Sequence, residues 1–220
     1  MKTAKELCQS SLRIPFSWKD RRAVFLAPEF LYVPPQIEHQ ESRLLLFEGK
    51  PIFIEFCSGT GHWITDRAKE RSEIGWIAVE KKFERAKKIW EKVQKEKLAN
   101  LFIVCSDALE FAKWYSPKAL SAFINFPDPW PKRRHHKHRL IQVPFIQELL
   151  HVTAREVTCV TDDLPYALQA IQEFSKVQEW KLLSHKNEWP SYGSSFFQDL
   201  WVSGGRKIHY LTFGRVLHEA

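Results

Sequence analysis

From residue 50 onward, short apolar runs alternate with longer charged stretches, and the two carry different periods. Ile52–Phe56 (IFIEF), Gly75–Glu80 (GWIAVE), Leu101–Cys105 (LFIVC), Ala122–Phe126 (AFINF) and Glu156–Thr161 (EVTCVT) have strand length and are rich in β-branched and aromatic residues. The stretches between them predict helices over His62–Arg71, Lys81–Lys97, Leu109–Tyr115, Pro144–Ala154 and Tyr166–Val177. In the second of these, Phe83, Ala86, Ile89, Trp90 and Val93 fall on one stripe. Lys207–Phe213 (KIHYLTF) alternates like a strand near a sheet edge. Residues 1–45 have mixed polarity and carry Pro15, Pro28, Pro34 and Pro35. They read as an irregular extension that packs on the domain or touches substrate, with residues 46–220 forming the domain itself.

Strands alternating with helices of this length predict an α/β fold, with a mostly parallel sheet covered by helices on both faces. In such a sheet, ligands bind beyond the carboxyl ends of the strands, near the point where strand order reverses. The residues just after each strand are therefore the place to look for chemistry.

Composition narrows the class. Hydrophobic residues make up 44% of the chain, enough for a packed core rather than disorder. No apolar run approaches the roughly 20 residues that span a bilayer, and the N-terminus lacks the apolar stretch of a secretory signal. Cys8, Cys57, Cys105 and Cys159 form no CxxC pair and no metal spacing, so they read as reduced thiols in a cytoplasmic protein with no membrane partner. The net charge of +7 suits an anionic partner. Its distribution says more: Lys132-Arg133-Arg134-His135-His136-Lys137-His138-Arg139 runs without an acid. The histidines in it do not read as a metal site, because the interleaved cations repel a metal and no carboxylate or thiolate joins them.

The first strand leads into Glu55-Phe56-Cys57-Ser58-Gly59-Thr60-Gly61. Gly59 and Gly61 let a ligand approach the backbone and a helix start at once, although a plain turn uses glycines too. Glu80 ends the second strand, placed to accept from the two hydroxyls of a ribose or to serve as an ordinary capping acid. Asp107 follows the third strand and can accept from an adenine amino group, while Glu55 can face the amino group of a methionine moiety. Three acids after three successive strands fit a cationic nucleoside better than a dinucleotide, whose pyrophosphate calls for amide donors.

The fourth strand ends in Asn125-Phe126-Pro127-Asp128-Pro129-Trp130-Pro131-Lys132. Three prolines stiffen this loop and forbid a helix start, which holds Asp128 at the catalytic end of the sheet. Trp130 either offers its face to a base or anchors the loop in the core. The basic run begins at once after the loop, as expected of a base pocket bordered by a phosphate track. After the fifth strand, Asp162 or Asp163 reaches the same cleft, and a helix N-cap accounts equally well for one of them.

Taken together, NFPDPWPKRRHHKHR, the EFCSGTG turn, the VE of strand two, SDA after strand three and TDD after strand five resemble bacterial tRNA (guanine-N7)-methyltransferases over residues 50–215. The PDPWPKxRHxK stretch is specific to that family, and the other pieces are generic to class I methyltransferases. The resemblance implies a Rossmann-like sheet with an antiparallel C-terminal edge, S-adenosylmethionine as cofactor, and tRNA as partner, with guanosine 46 of the variable loop as target. It implies that Glu55, Glu80, Asp107 and Asp128 touch the cofactor or lie at its methyl end. It implies that Lys132 and Asp162 contact substrate, with Arg133, Arg134, His135, His136, Lys137 and His138 bordering the RNA. Two departures stand out. Cys57 occupies the place of a family glycine, and the family's TxFE-like motif appears as Ser194-Ser195-Phe196-Phe197, keeping its aromatic at Phe196 and replacing its glutamate by Phe197. Rival readings are an amino methyltransferase acting on adenine or cytosine, a non-catalytic RNA-binding scaffold that kept the fold, and, more distantly, a nicotinamide oxidoreductase.

Overall fold

The computed structural model describes residues 23–35, 37, 46–193 and 202–216. Nine strands among them form one sheet. In chain order these are β1 (Val24–Ala27), β2 (Phe30–Tyr32), β3 (Ile52–Phe56), β4 (Gly75–Glu80) and β5 (Leu101–Cys105). Then follow β6 (Ala119–Asn125), β7 (Thr153–Thr161), β8 (Trp180–Lys186) and β9 (His209–Arg215). The helices are α1 (His62–Glu70), α2 (Phe83–Glu96), α3 (Ala108–Trp114), α4 (Val143–Val152) and α5 (Leu164–Ser175). Strand order across the sheet is β1-β2-β5-β4-β3-β6-β7-β9-β8.

The pairings from β2 through β7 are parallel, whereas β9 runs antiparallel to both β7 and β8. The predicted α/β sheet with an antiparallel C-terminal edge is therefore present. Side chains alternate across it. Ile54, Phe56, Ile77, Val79, Phe102 and Val104 face one buried cluster, which α3, α4 and α5 cover. Trp76, Ala78, Leu101 and Ile103 face a second cluster, covered by α1 and α2. Strand order reverses at β3, which has β4 on one side and β6 on the other. The carboxyl ends of β3 and β6 thus open the crevice where a ligand belongs.

Two readings from sequence change. Residues 24–32 are not irregular: β1 and β2 extend the sheet, with Phe30, Leu31 and Tyr32 aligned on Ile103, Val104 and Cys105. Pro28 lies in the turn between the two strands, and Pro34 and Pro35 lie beyond β2, so the prolines punctuate strands rather than exclude them. Strand β8 is the second difference. It is an edge strand with mostly exposed or half-buried side chains, so its sequence WKLLSHK lacks the alternation that marks a half-buried strand.

Candidate active site

The turn after β3 is built on left-handed backbone: Cys57, Gly59 and Gly61 have φ of 62°, 57° and 76°. Gly61 is required twice over, because a Cβ there would also lie 2.8 Å from Cγ1 of Ile89 on α2. Cys57 adopts the same region at the cost of strain that a glycine would avoid. Glu80 holds the turn from the neighbouring strand. Its Oε2 accepts from the Gly59 N–H at 2.9 Å and its Oε1 from the Lys82 N–H at 2.7 Å. Burial raises its carboxyl above the ordinary range, and the two backbone donors oppose that rise. Each carboxylate oxygen keeps a second lone pair for a ligand hydroxyl.

Asp107 caps α3, accepting from the Leu109 N–H at 3.0 Å, and its other oxygen meets Lys81 Nζ at 2.9 Å. Both acids line a cavity of about 240 Å³ together with Phe126, Pro127, Asp128 and Trp130. Two of the three predicted cofactor acids, the glycine turn and the proline loop thus meet at one cavity. Glu55 does not line it. It is 2% exposed, its Oε1 accepts from Asn125 Nδ2 at 2.7 Å, and its Oε2 is buried without a partner. Burial pushes its carboxyl up to about 7.

The loop after β6 is stiffened by more than proline. Phe126 and Trp130 have φ of 46° and 43°, and the Phe126 N–H donates to Val160 O at 2.8 Å. These constraints leave Asp128 exposed at the cavity rim. Trp130 is no core anchor, being 36% exposed and resting against the rings of His135 and His138. Arg133–His138 form a 3₁₀ turn in which Arg133, Arg134, Lys137 and His138 are exposed and His135 and His136 half-buried; Lys132, just before it, is exposed as well.

Arg139 departs from the rest of the run. It is 3% exposed. Its Nε donates to Pro129 O at 2.7 Å, one terminal nitrogen donates to Gln169 Oε1 at 3.1 Å, and its guanidinium lies 4.8 Å above the Tyr166 ring. The basic run therefore ends in a buried clamp on the Asp128 loop, and the exposed track stops at His138. The charge pattern of the sequence carries no sign of this, because arginine appears alike in tracks and clamps.

At the end of β7 the two acids separate. Asp163 is the N-cap of α5, accepting from the Tyr166 N–H at 2.7 Å, while Asp162 pairs with Arg206. Ser194, Phe196 and Phe197 lie outside the described residues. Among the described residues, no group of three or more His, Cys, Asp or Glu side chains could hold a metal, and no helix is long and apolar enough to cross a membrane. Sequence reasoning missed Asn125 and Tyr192, which meet only in the fold: the Tyr192 hydroxyl donates to Asn125 Oδ1 at 2.6 Å across 67 positions of sequence. It also missed Lys82 and Arg85, which line the cavity.

Comparison with known proteins places the chain in a family. Residues 49–211 match a family model described as "Putative methyltransferase". The chain is 40% identical to the tRNA (guanine-N(7)-)-methyltransferase of Chlamydia felis, over 94% of this chain and 96% of that one. It is 31% identical to the enzyme of the same name from Leptospira interrogans, over 85% and 89% of the two chains. A solved structure of an antibiotic-related methyltransferase superposes with a TM-score of 0.60 at 19% identity, covering 76% of this chain and 88% of that one, which is a likeness of fold. By its family match and by its near full-length identity to these relatives, the chain belongs to the tRNA (guanine-N7)-methyltransferase family.

Proposed function

We propose that this cytoplasmic protein transfers the methyl group of S-adenosylmethionine to N7 of a guanosine in tRNA, and that the target is guanosine 46 of the variable loop. The observation that carries the reading is a convergence. Glu80, Asp107 and the Asp128 loop line one cavity, and the exposed cationic turn begins directly after that loop in the chain.

The residues present fit the cofactor. Glu80 has acceptor capacity left for ribose hydroxyls, Asp107 lies on the cavity wall for an adenine amino group, and the unpartnered Glu55 Oε2 suits a cationic amine. A Cβ built on Gly59 meets nothing within 4 Å, so the turn leaves open space there.

The bound cofactor supplies an electrophilic methyl group. The chain supplies alignment and charge. Guanine N7 bears a lone pair and no proton, so no side chain has to act as a base. Holding nucleophile and methyl in line, with water excluded, contributes several kcal/mol of barrier lowering. Asp128 accepts from the guanine N1–H and amino group, and its charge offsets the positive charge that grows on the base. Trp130 lies beside that acid with part of its ring surface exposed for stacking. Lys132 to His138 take the phosphates, and Asp162, together with Ser194 and Phe196, completes the substrate side.

The test is methylation of unmodified tRNA with labelled cofactor, followed by borohydride and aniline cleavage, which cuts only at N7-methylguanosine. Cleavage at position 46 is the expected result. Label in tRNA without cleavage would favour the amino methyltransferase reading, and no label would favour the scaffold.

A further inference from the structure

Glu55 is a carboxylate where a packed core would ordinarily carry an apolar side chain. It lies on the sheet face covered by α1 and α2, 2% exposed, with one oxygen buried and unpartnered. Removing a carboxylate from water is costly unless each oxygen finds a donor or a cation. A site serving only to pack would be filled by leucine or methionine. Its Asn125 partner is itself held by a third residue. Tyr192 OH donates to Asn125 Oδ1 at 2.6 Å, and Asn125 Nδ2 donates to Glu55 Oε1 at 2.7 Å. With the carboxylate ionised, Oε1 can only accept, so the amide must turn its nitrogen to Glu55 and its oxygen to the phenol. Tyr192 is fixed in turn. Its carbonyl accepts from Trp63 Nε1 at 2.8 Å, and its ring stacks on Trp63 with centroids 5.1 Å apart.

We propose that Asn125 and Tyr192 are positioning residues for the amino-acid end of the cofactor: they hold the Glu55 carboxyl by Oε1 and leave Oε2, buried at the root of the turn whose Cys57 and Gly59 line the cavity, to receive an ammonium group when the ligand displaces that cover. The proposal rests on the S-adenosylmethionine reading above. Burial raises the Glu55 carboxyl to about 7, and an ammonium at Oε2 relieves that penalty.

Calorimetry with two probes tests this without any turnover. S-adenosylhomocysteine carries the ammonium, and 5′-methylthioadenosine lacks the amino-acid portion. Tyr192→Phe keeps the ring and its stacking and removes only the hydroxyl, while Asn125→Ala removes the link itself. Each is expected to weaken S-adenosylhomocysteine about tenfold and to leave methylthioadenosine within about twofold, with Glu55→Gln behaving like the stronger of the two. Equal weakening of both probes in both variants would reduce the pair to a packing role and overturn the proposal. Unchanged affinity for both probes would overturn it as well. A wild-type protein that binds neither probe would fail the cofactor reading itself, before any variant is compared.

Discussion

The guanidinium of Arg139 donates from Nε to the carbonyl of Pro129 at 2.7 Å, one residue beyond Asp128. The last cation of the basic run is thus not on the RNA side at all. It grips the loop that presents the acid, resting on Tyr166 and Gln169 of α5.

Arg139→Lys therefore separates clamp from track. Lysine can reach one of these acceptors but lacks the planar fork and the flat face over Tyr166. Leaving a buried acceptor unpaired costs about 1–3 kcal/mol, read as a lower melting temperature. Misplacing Asp128 lowers turnover by roughly tenfold to a hundredfold. The salt dependence of tRNA binding is expected to stay as in the wild type. A flatter salt slope in Arg139→Lys would return Arg139 to the phosphate track.

Neutralising Arg133, Arg134 and Lys137 tests the exposed part of the run. These side chains face solvent along the 3₁₀ turn. Removing a cation that neutralises a phosphate should flatten the log–log salt slope of tRNA binding by about 0.7 to 0.9. Cofactor affinity should not change, because none of the three lines the cavity. If slope and affinity both survive in the triple variant, the turn is a solvated surface.

What can be read from the sequence follows from local pattern. The five parallel strands β3 to β7 are buried on both faces over most of their length, so each reads as a continuous apolar run. The acids that follow them stand at their carboxyl ends, where topology alone places a ligand. That logic locates Glu80, Asp107 and Asp128 on one cavity. It fails where burial is one-sided or the partner is remote. Strand β8 exposes most of its side chains, so no period marks it. Strands β1 and β2 are hidden by the prolines that flank them. The Glu55–Asn125–Tyr192 chain spans 70 and 67 positions, beyond the reach of any spacing argument, and Glu55 is buried at the root of the turn rather than among the cavity's lining residues.

Glu55 also makes stability depend on pH in an unusual direction. Its folded carboxyl is raised from 4.5 to about 7. Between those values the folded protein keeps a proton that the unfolded chain has released. The stability contributed by that proton is complete below about pH 4.5 and is lost as pH rises through 7. Its full size is on the order of 3 kcal/mol. Glu55→Gln carries no such proton, so the difference in unfolding free energy between variant and wild type should grow in favour of the variant from about pH 5 to about pH 7.5. Denaturant melts of the ligand-free protein across that range measure it. Parallel curves would mean that Glu55 ionises as freely in the folded state as in the unfolded chain.

Asp128 carries the sharpest prediction. It stands exposed on a loop held by Pro127, by Pro129, by the Phe126 hydrogen bond to Val160 and by the Arg139 clamp. So many constraints on an exposed side chain make sense when its position matters more than its packing. Asp128→Asn keeps the shape, removes the charge that offsets a cationic product, and turns one acceptor into a donor facing guanine's own donors. Removing one such preorganised electrostatic interaction costs about 10²- to 10³-fold in turnover. The affinity for S-adenosylhomocysteine should change far less, because Glu80 and Asp107 remain in the same cavity to hold it. Single-turnover methyl transfer at saturating tRNA and cofactor isolates the step from binding and release. A variant that transfers methyl at the wild-type rate would remove Asp128 from the chemistry. Attention would then pass to Asp162, since Asp163 is already committed to capping α5.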